Sequence, residues 1–231
     1  MSTSDEIFLV EEFCQKYPLL LAHLDEVLEK DKKTNLTGIK DREAGKVFHI
    51  LDSLAVLQEL NSAPKGELVD LGSGAGYPGI PLAIVSGRKT TLIESNNKKA
   101  QFLSDFVNEH ALGEQITVVS QRSELLEQKH RENYAVLTMR AVASLPSILE
   151  LAAPLLMPGG HFIALKGNLS EEEFERGEKA SSLLGMKLLE KRKYEISEEH
   201  SKRCVLTYER LAERGPIVPR RPGMATKRPL A

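Results

Sequence analysis

Residues 67–85, ELVDLGSGAGYPGIPLAIV, limit the fold more than any other stretch of the chain. An apolar strand runs into a turn carrying Gly72, Gly74 and Gly76, and a helix opened by Pro78 follows. Glycine suits that turn because a β-carbon would block left-handed backbone or the close approach of a flat ligand. Pro78 suits a first helical position, where the missing amide hydrogen would have no partner anyway. Glu94 closes the next apolar run, TTLIE, 20 residues beyond Gly74. A carboxylate at that place can accept hydrogen bonds from both hydroxyls of a ribose. The two features together predict an adenosine nucleoside lying across the C-terminal edge of the first two strands.

Gly74, Gly76 and Gly79 also spell G-x-G-x-x-G, the dinucleotide fingerprint, so a nicotinamide enzyme is a competing reading. That fingerprint should begin directly after the strand, whereas Asp70-Leu71-Gly72-Ser73 already fills the turn. Asp70, expected at the strand tip, would lie within reach of the methionine amine of S-adenosylmethionine and would repel a pyrophosphate. S-adenosylmethionine is therefore the expected cofactor.

From Glu67 onward short apolar runs alternate with helical stretches. ELVDL, TTLIE, QITVV, YAVLTM and HFIAL are predicted strands, with helices beginning near Pro78, Asn97, Ser123 and Leu145. Such alternation means a mostly parallel sheet covered by helices. MKLLEKRKYEI and RCVLTYERL follow a helix over 170–184 and are joined by the polar EEHSK, as an antiparallel pair would be. Seven strands of this kind predict an α/β, Rossmann-like, class I S-adenosylmethionine-dependent methyltransferase fold. The first sixty residues read as three helices, Asp5 to Lys16, Leu19 to Lys30 and Glu43 to Leu60, the last with Asp41 as N-cap. The expected organisation is an N-terminal helical segment over 1–63 packing on the core, a catalytic domain over 64–213 and a basic tail over 214–231.

With 41% hydrophobic and 28% charged residues, the chain has the balance of a globular domain. The acidic N-terminus lacks the basic segment of a secretory signal and no apolar run is long enough for a membrane span, so a cytoplasmic protein without a membrane partner is expected. Cys14 and Cys204 stand far apart without a CxxC or a histidine cluster, which predicts reduced packing residues and no metal site. The net charge of -2 argues for no polyanionic partner, but its distribution hints at nucleic acid. Residues 1–29 hold seven acids against Lys16, while 214–231 hold Arg214, Arg220, Arg221, Lys227 and Arg228 with no acid. The connector Lys30 to Lys46 carries six bases against three acids and is predicted to be surface available for contact. The tail, with prolines at 216, 219, 222 and 229, is predicted to be extended and to grip RNA rather than cofactor.

Along almost its whole length the chain resembles the bacterial 16S rRNA guanine-N7 methyltransferase family, RsmG, also called glucose-inhibited division protein B. The segments that carry the resemblance are NLTGIKDREAGKVFHILDSLAVL, VDLGSGAGYPGIPLAIV, IESNNKKAQFL, LTMRAVASL and HFIALKG. The first is the specific one, because methyltransferases in general share only the glycine turn. The resemblance implies cofactor contacts at Gly72, Tyr77, Glu94, Ser123, Glu124 and Arg140. Adjacent Ser123 and Glu124 also fit a helix cap followed by an acid. Two departures fall outside the cofactor residues: a tryptophan common before NLT is replaced by Asp31-Lys32, and Gly-Lys-Arg after the second strand is Asn97-Lys98-Lys99.

The residues also bear on the acceptor atom. Exocyclic amine methylation commonly uses a [DNS]-P-P-[YFW] motif after the fourth strand, where this chain has Thr138-Met139-Arg140-Ala141. Ring-carbon methylation would want a cysteine nucleophile, and neither cysteine is expected near the catalytic edge. Guanine N7 has a lone pair and no proton to lose, so in-line transfer driven by proximity, without a general base, is expected. Arg140 is the expected catalytic residue, orienting guanine or cofactor, with a structural salt bridge as the alternative. His49, among Phe48, Ile50 and Leu51, reads as packing or interdomain bonding more readily than as a ligand contact. The expected partner of a monomeric enzyme is small-subunit rRNA, free or in the assembling or intact 30S subunit. A methyltransferase of small molecules or proteins, and an RNA-binding module with a vestigial cofactor pocket, are the alternatives.

Overall fold

The computed structural model describes residues 3–34, 36–140, 143–196, 203–212 and 218–231. Seven strands form one sheet in the order β3-β2-β1-β4-β5-β7-β6. They are β1 Leu68–Leu71, β2 Thr90–Ile93, β3 Ile116–Val119, β4 Tyr134–Arg140, β5 Leu156–Lys166, β6 Met186–Tyr194 and β7 Arg203–Arg210. The first five pair in parallel, and β7 inserts antiparallel between β5 and β6. Every residue of β1 and β2 is buried, which is why these strands read as continuous apolar runs rather than alternations. The edge strand β6 instead carries Lys187, Glu190, Lys191, Arg192 and Lys193, the charge that keeps a sheet edge from pairing further. EEHSK lies outside the described residues.

Helices α6 Gly79–Ser86, α7 Asn97–Glu109, α8 Leu145–Ala152 and α9 Glu171–Leu183 make the crossovers. Asn96 caps α7 by accepting from the amides of Lys98 and Lys99, and Ser170 caps α9 through Glu173. Pro78 stands one place earlier than predicted, at the N-cap of α6. The helix predicted near Ser123 is a single 3₁₀ turn, Ser123–Leu125, preceded by Arg122 without a side-chain cap.

At the N-terminus α1 Thr3–Lys16 and α2 Leu19–Thr34 form where helices are predicted, with Leu20, Leu24 and Val27 fully buried, but α2 runs past Lys30 and takes in the start of the predicted connector. The third predicted helix, Glu43 to Leu60, is broken. Asp41 accepts from the Ala44 amide to start α3 Arg42–Gly45, a π-helical turn Lys46–Leu51 follows, and α4 Asp52–Leu54 and α5 Leu57–Ser62 complete the run. Tertiary contacts supply the reason. Gly45 lies so close to Leu24 that a β-carbon would meet its Cδ1 at 2.6 Å, and the wider turn then buries His49, Ile50 and Leu51. At the second break the Ala55 carbonyl accepts from Arg192 on β6 at 2.7 Å. No described helix is long and apolar enough to cross a membrane.

Both cysteines are free and buried. The C-terminal segment departs from expectation. Residues 218–231 do not extend away but fold back over α8 and α9, with a short helix, α10 Met224–Lys227. Val218, Leu230 and Ala231 pack against the core between sheet and helices, and Ala225 is buried. Arg220 grips Glu150 of α8, a side chain with no exposed surface, through bonds of 2.8 and 2.7 Å. Charge and proline content predict an extended, RNA-gripping tail because the buried acid that holds Arg220 is 70 residues away in the chain.

Candidate active site

Strand β1 ends in a turn whose backbone is fixed by short bonds. The amides of Gly72 and Ser73 donate to the Ile93 carbonyl at 2.8 and 3.2 Å, and that of Gly76 to Ser73 at 2.7 Å. Gly72, Gly74 and Gly76 have φ of +76°, +59° and +96°. They are not equivalent. A β-carbon on Gly72 would meet nothing within 4 Å, and one on Gly74 only a carbonyl at 3.9 Å, so these two leave open space. On Gly76 it would strike Ile80 at 2.6 Å and His23 at 2.9 Å, and Gly79 is pressed onto Leu92 and Asp70 in the same way. Gly76 and Gly79 are thus small for packing, which also explains the accidental dinucleotide spacing.

Glu94 braces this turn. Its Oε2 accepts from the Gly74 amide at 2.8 Å and its Oε1 from the Asn96 amide at 2.7 Å. Each carboxylate oxygen keeps a second lone pair, so the group can still accept from a ribose. Asp70 sits within β1 beneath the turn, 1% exposed, with Oδ2 accepting from Gly79 at 3.1 Å and Oδ1 from Thr138 at 3.1 Å. Burial pushes its pKa up to about 6 against these hydrogen bonds. Past β3, Ser123 and Glu124 border a cleft of about 150 Å³ with Gly72, Ile93, Ser95 and Met139. Glu124 accepts from Gly223 at 2.9 Å and Arg122 at 3.2 Å, and weakly from Ser123 at 3.3 Å. Burial raises its pKa, but these donors outweigh it and hold the group below its ordinary value.

The next residue on β4, Arg140, faces elsewhere. It donates to the Phe48 carbonyl at 3.1 Å and Asp52 at 3.3 Å, and its guanidinium lies 5.5 Å from the Tyr77 ring. Tyr77 stacks on His49 at 4.5 Å and meets His23 at 4.6 Å, joining the turn to the N-terminal helices. Around Arg140 opens a second cleft, about 750 Å³, lined among others by Thr37, Lys40, Phe48, His49 and Arg203. Asp52, 2% exposed, is its hub: it accepts from Tyr194 at 2.9 Å and pairs with Arg140 and with Arg203 at 3.7 Å. Burial, with Arg140 adding to it, lowers the His49 pKa to about 4, so its ring is neutral at pH 7. The Tyr77 hydroxyl and His49 Nδ1 are buried without a protein partner among the described residues. Open glycines, a braced carboxylate and an orphaned hydroxyl fit a nucleoside with a polar tail. No group of His, Cys, Asp and Glu among the described residues could hold a metal ion.

A parallel sheet extended by one reversed strand, with this turn and acid at the ends of β1 and β2, defines a class I S-adenosylmethionine-dependent methyltransferase. The family model for rRNA small subunit methyltransferase G matches residues 16–202. A protein of that name from Alkaliphilus metalliredigens is 36% identical over 214 residues, 91% of this chain and 89% of its own length. Another from Carboxydothermus hydrogenoformans is 39% identical over 212 residues, 88% of this chain and 87% of its own. Among solved structures, geranyl diphosphate C-methyltransferase from Streptomyces coelicolor A3(2), with S-adenosyl-L-homocysteine bound, superposes with a TM-score of 0.57 at 11% identity. It covers 76% of this chain and 86% of its own, and it shows the shared fold alone. The chain belongs to the rRNA small subunit methyltransferase G family.

Several residues of the site escaped the sequence reading. His23 donates from Nε2 to the Ala75 carbonyl at 2.8 Å, yet in sequence it is one polar residue on an amphipathic helix. Thr138 gave no signal at all. Asp31 replaces an expected aromatic and is itself buried, accepting from the Thr37 amide at 2.8 Å and pairing with Lys40. It organises the connector, whose Leu36 is also buried, so the connector is partly core rather than all surface. Asp52 lies inside the HILDSL segment that carried the resemblance, and that was the one available signal for it.

Proposed function

We propose that this enzyme methylates N7 of a guanine in 16S rRNA, by direct in-line transfer without a general base, as a cytoplasmic monomer acting on free RNA or on the 30S subunit. The observation that supports it is the second cleft. Lys40, Arg140 and Arg203 offer cations to an RNA backbone, and Met139 and Arg140, adjacent on β4, face the two clefts in turn. The proton acceptors bordering that cleft are engaged. Asp52 serves two arginines and a tyrosine, Asp41 caps Ala44, and His49 Nε2 faces the Thr37 hydroxyl at 2.9 Å. Thr37 Oγ1 also accepts from the Ile39 amide, which fixes the hydroxyl beside His49 whichever of the two supplies the hydrogen between them. A reaction needing no base matches such a site.

When bound, S-adenosylmethionine supplies an electrophilic methyl group on a sulfonium. Glu94 would hold the ribose hydroxyls, the open backbone at Gly72 and Gly74 would admit the nucleoside, and Ser123 and Glu124 would border the adenine. Asp70 and Gly76 act beneath this surface by fixing the turn, while Tyr77 positions Arg140. Arg140 would orient the guanine, its pair with Asp52 keeping the guanidinium in place. Proximity and alignment then supply the acceleration. Mapping of modified bases should show 16S rRNA lacking one 7-methylguanosine when the protein is absent. Single-turnover transfer at saturation should stay nearly flat between about pH 7 and 9, because no proton is abstracted. A steep rise fitting one ionisation would point to another acceptor atom.

A further inference from the structure

The C-terminal segment reaches the same cleft that Gly72 of the glycine turn lines. Gly223, at φ +80°, presents its amide to Glu124 at 2.9 Å. Three residues on, Thr226 is exposed and lines the same cleft as Gly72, Ser95 and Ser123. Two anchors hold the segment there: Arg220 on Glu150, and Arg176 of α9, which donates to the Ala231 carbonyl at 2.7 and 3.1 Å.

We propose that residues 218–231 form a wall of the cofactor cleft, with Glu124 as the latch and Thr226 as the residue facing the adenosine end of the ligand. The carboxylate expected to touch cofactor instead spends one oxygen on the Gly223 amide and on Arg122. Cofactor and C-terminal hook therefore share the Ser123–Glu124 turn, and their binding is coupled. Whatever the hook adds to cofactor affinity, cofactor must return as hook stability. The basic residues do not oppose this, since Arg220 is consumed by Glu150 while Arg221 and Lys227 point to solvent.

The test uses full-length protein and S-adenosylhomocysteine, so it does not depend on the RNA substrate. In Thr226→Trp a large ring enters the cleft from an exposed position, and affinity should fall by about tenfold or more, because such pockets enclose most of their ligand. The melting midpoint without ligand should be kept. Arg221→Gln, changed on the solvent side of the same segment, should bind as the wild type does. In the unaltered chain, saturating S-adenosylhomocysteine should slow hydrogen exchange across 218–231. Native affinity in Thr226→Trp, or exchange in the hook unmoved by ligand, would overturn the proposal. So would a folded chain ending at residue 217 that binds S-adenosylhomocysteine normally and has lost only salt-sensitive RNA affinity.

Discussion

Two segments containing glycine and proline reach the cofactor cleft, the turn over 72–78 through Gly72 and the segment over 218–231 through Thr226, and they are held in opposite ways. The turn closes mostly on its own neighbourhood: Gly76 on Ser73, Gly72 on Ile93, Gly74 on Glu94. The C-terminal hook closes on Glu150 and Glu124, which lie 70 and 99 residues upstream. A turn built on near neighbours leaves a spacing that can be read in the chain. A hook built on distant ones leaves only a composition, and composition alone resembles a solvated tail.

The largest test of that contrast is Arg220→Ala. A solvated arginine would matter by less than about 0.5 kcal/mol. Here removal strands the fully buried carboxylate of Glu150, and stability should fall by about 3 kcal/mol in denaturant titration. A change within the range of an ordinary surface substitution would return the segment to the status of a tail.

A smaller difference, about 2 kcal/mol in stability, separates two glycines within the turn. Alanine at position 76 meets both left-handed strain and the Ile80 and His23 atoms, for a loss of about 3 kcal/mol. At position 72 the strain stands alone, about 1 kcal/mol, and its β-carbon projects into open space beside the cleft. Gly72→Ala should therefore cost cofactor affinity more than stability, and Gly76→Ala the reverse. Equal profiles in paired unfolding and S-adenosylhomocysteine titrations would remove the distinction.

What was legible follows the same division. Strands β1, β2 and β4 could be placed from their apolar runs, because a parallel sheet buries both faces and leaves no alternation to misread, whereas the charged edge strand β6 was legible only as half of an antiparallel pair after the helix over 170–184. Glu94 was legible because it stands at a fixed distance from Gly74 on consecutive elements. The broken helix over 42–62 was not, since its π-turn answers to Leu24 and Tyr77, and its second break to Arg192. Glu124 was visible as a residue, but its bond to Gly223 depends on how the last strand returns the chain. Arg140 combines both of its readings: it pairs with Asp52, and it lines the cleft proposed for the substrate.

His23 makes the contrast less absolute, because, with His49 and Arg140 on Tyr77, it is one of the distant contacts that the turn does possess, 52 residues from Ala75. A carbonyl can only accept, so Nε2 carries a hydrogen, and burial rather than this bond keeps the ring neutral. Burial lowers its pKa from 6.5 to about 3. A group with a depressed folded pKa gives its stabilisation fully above the unfolded value, and loses it as the pH falls from 6.5 toward 3. By pH 5 the loss from this one residue is about 2 kcal/mol, and His49, lowered to about 4, acts in the same direction. Asp70 works against both. Its pKa is raised from 3.8 to about 6, so it returns stability as the pH falls through 6. Two histidines against one carboxylate leave a net weakening on mild acidification. His23→Gln keeps a side-chain amide able to donate to Ala75 but cannot ionise, and its stability loss between pH 7 and 5 should be smaller than the wild type's by about 2 kcal/mol. Urea unfolding at the two pH values measures this directly. An unchanged loss would mean that the turn is held by its own neighbours alone, and that α2 merely rests upon it.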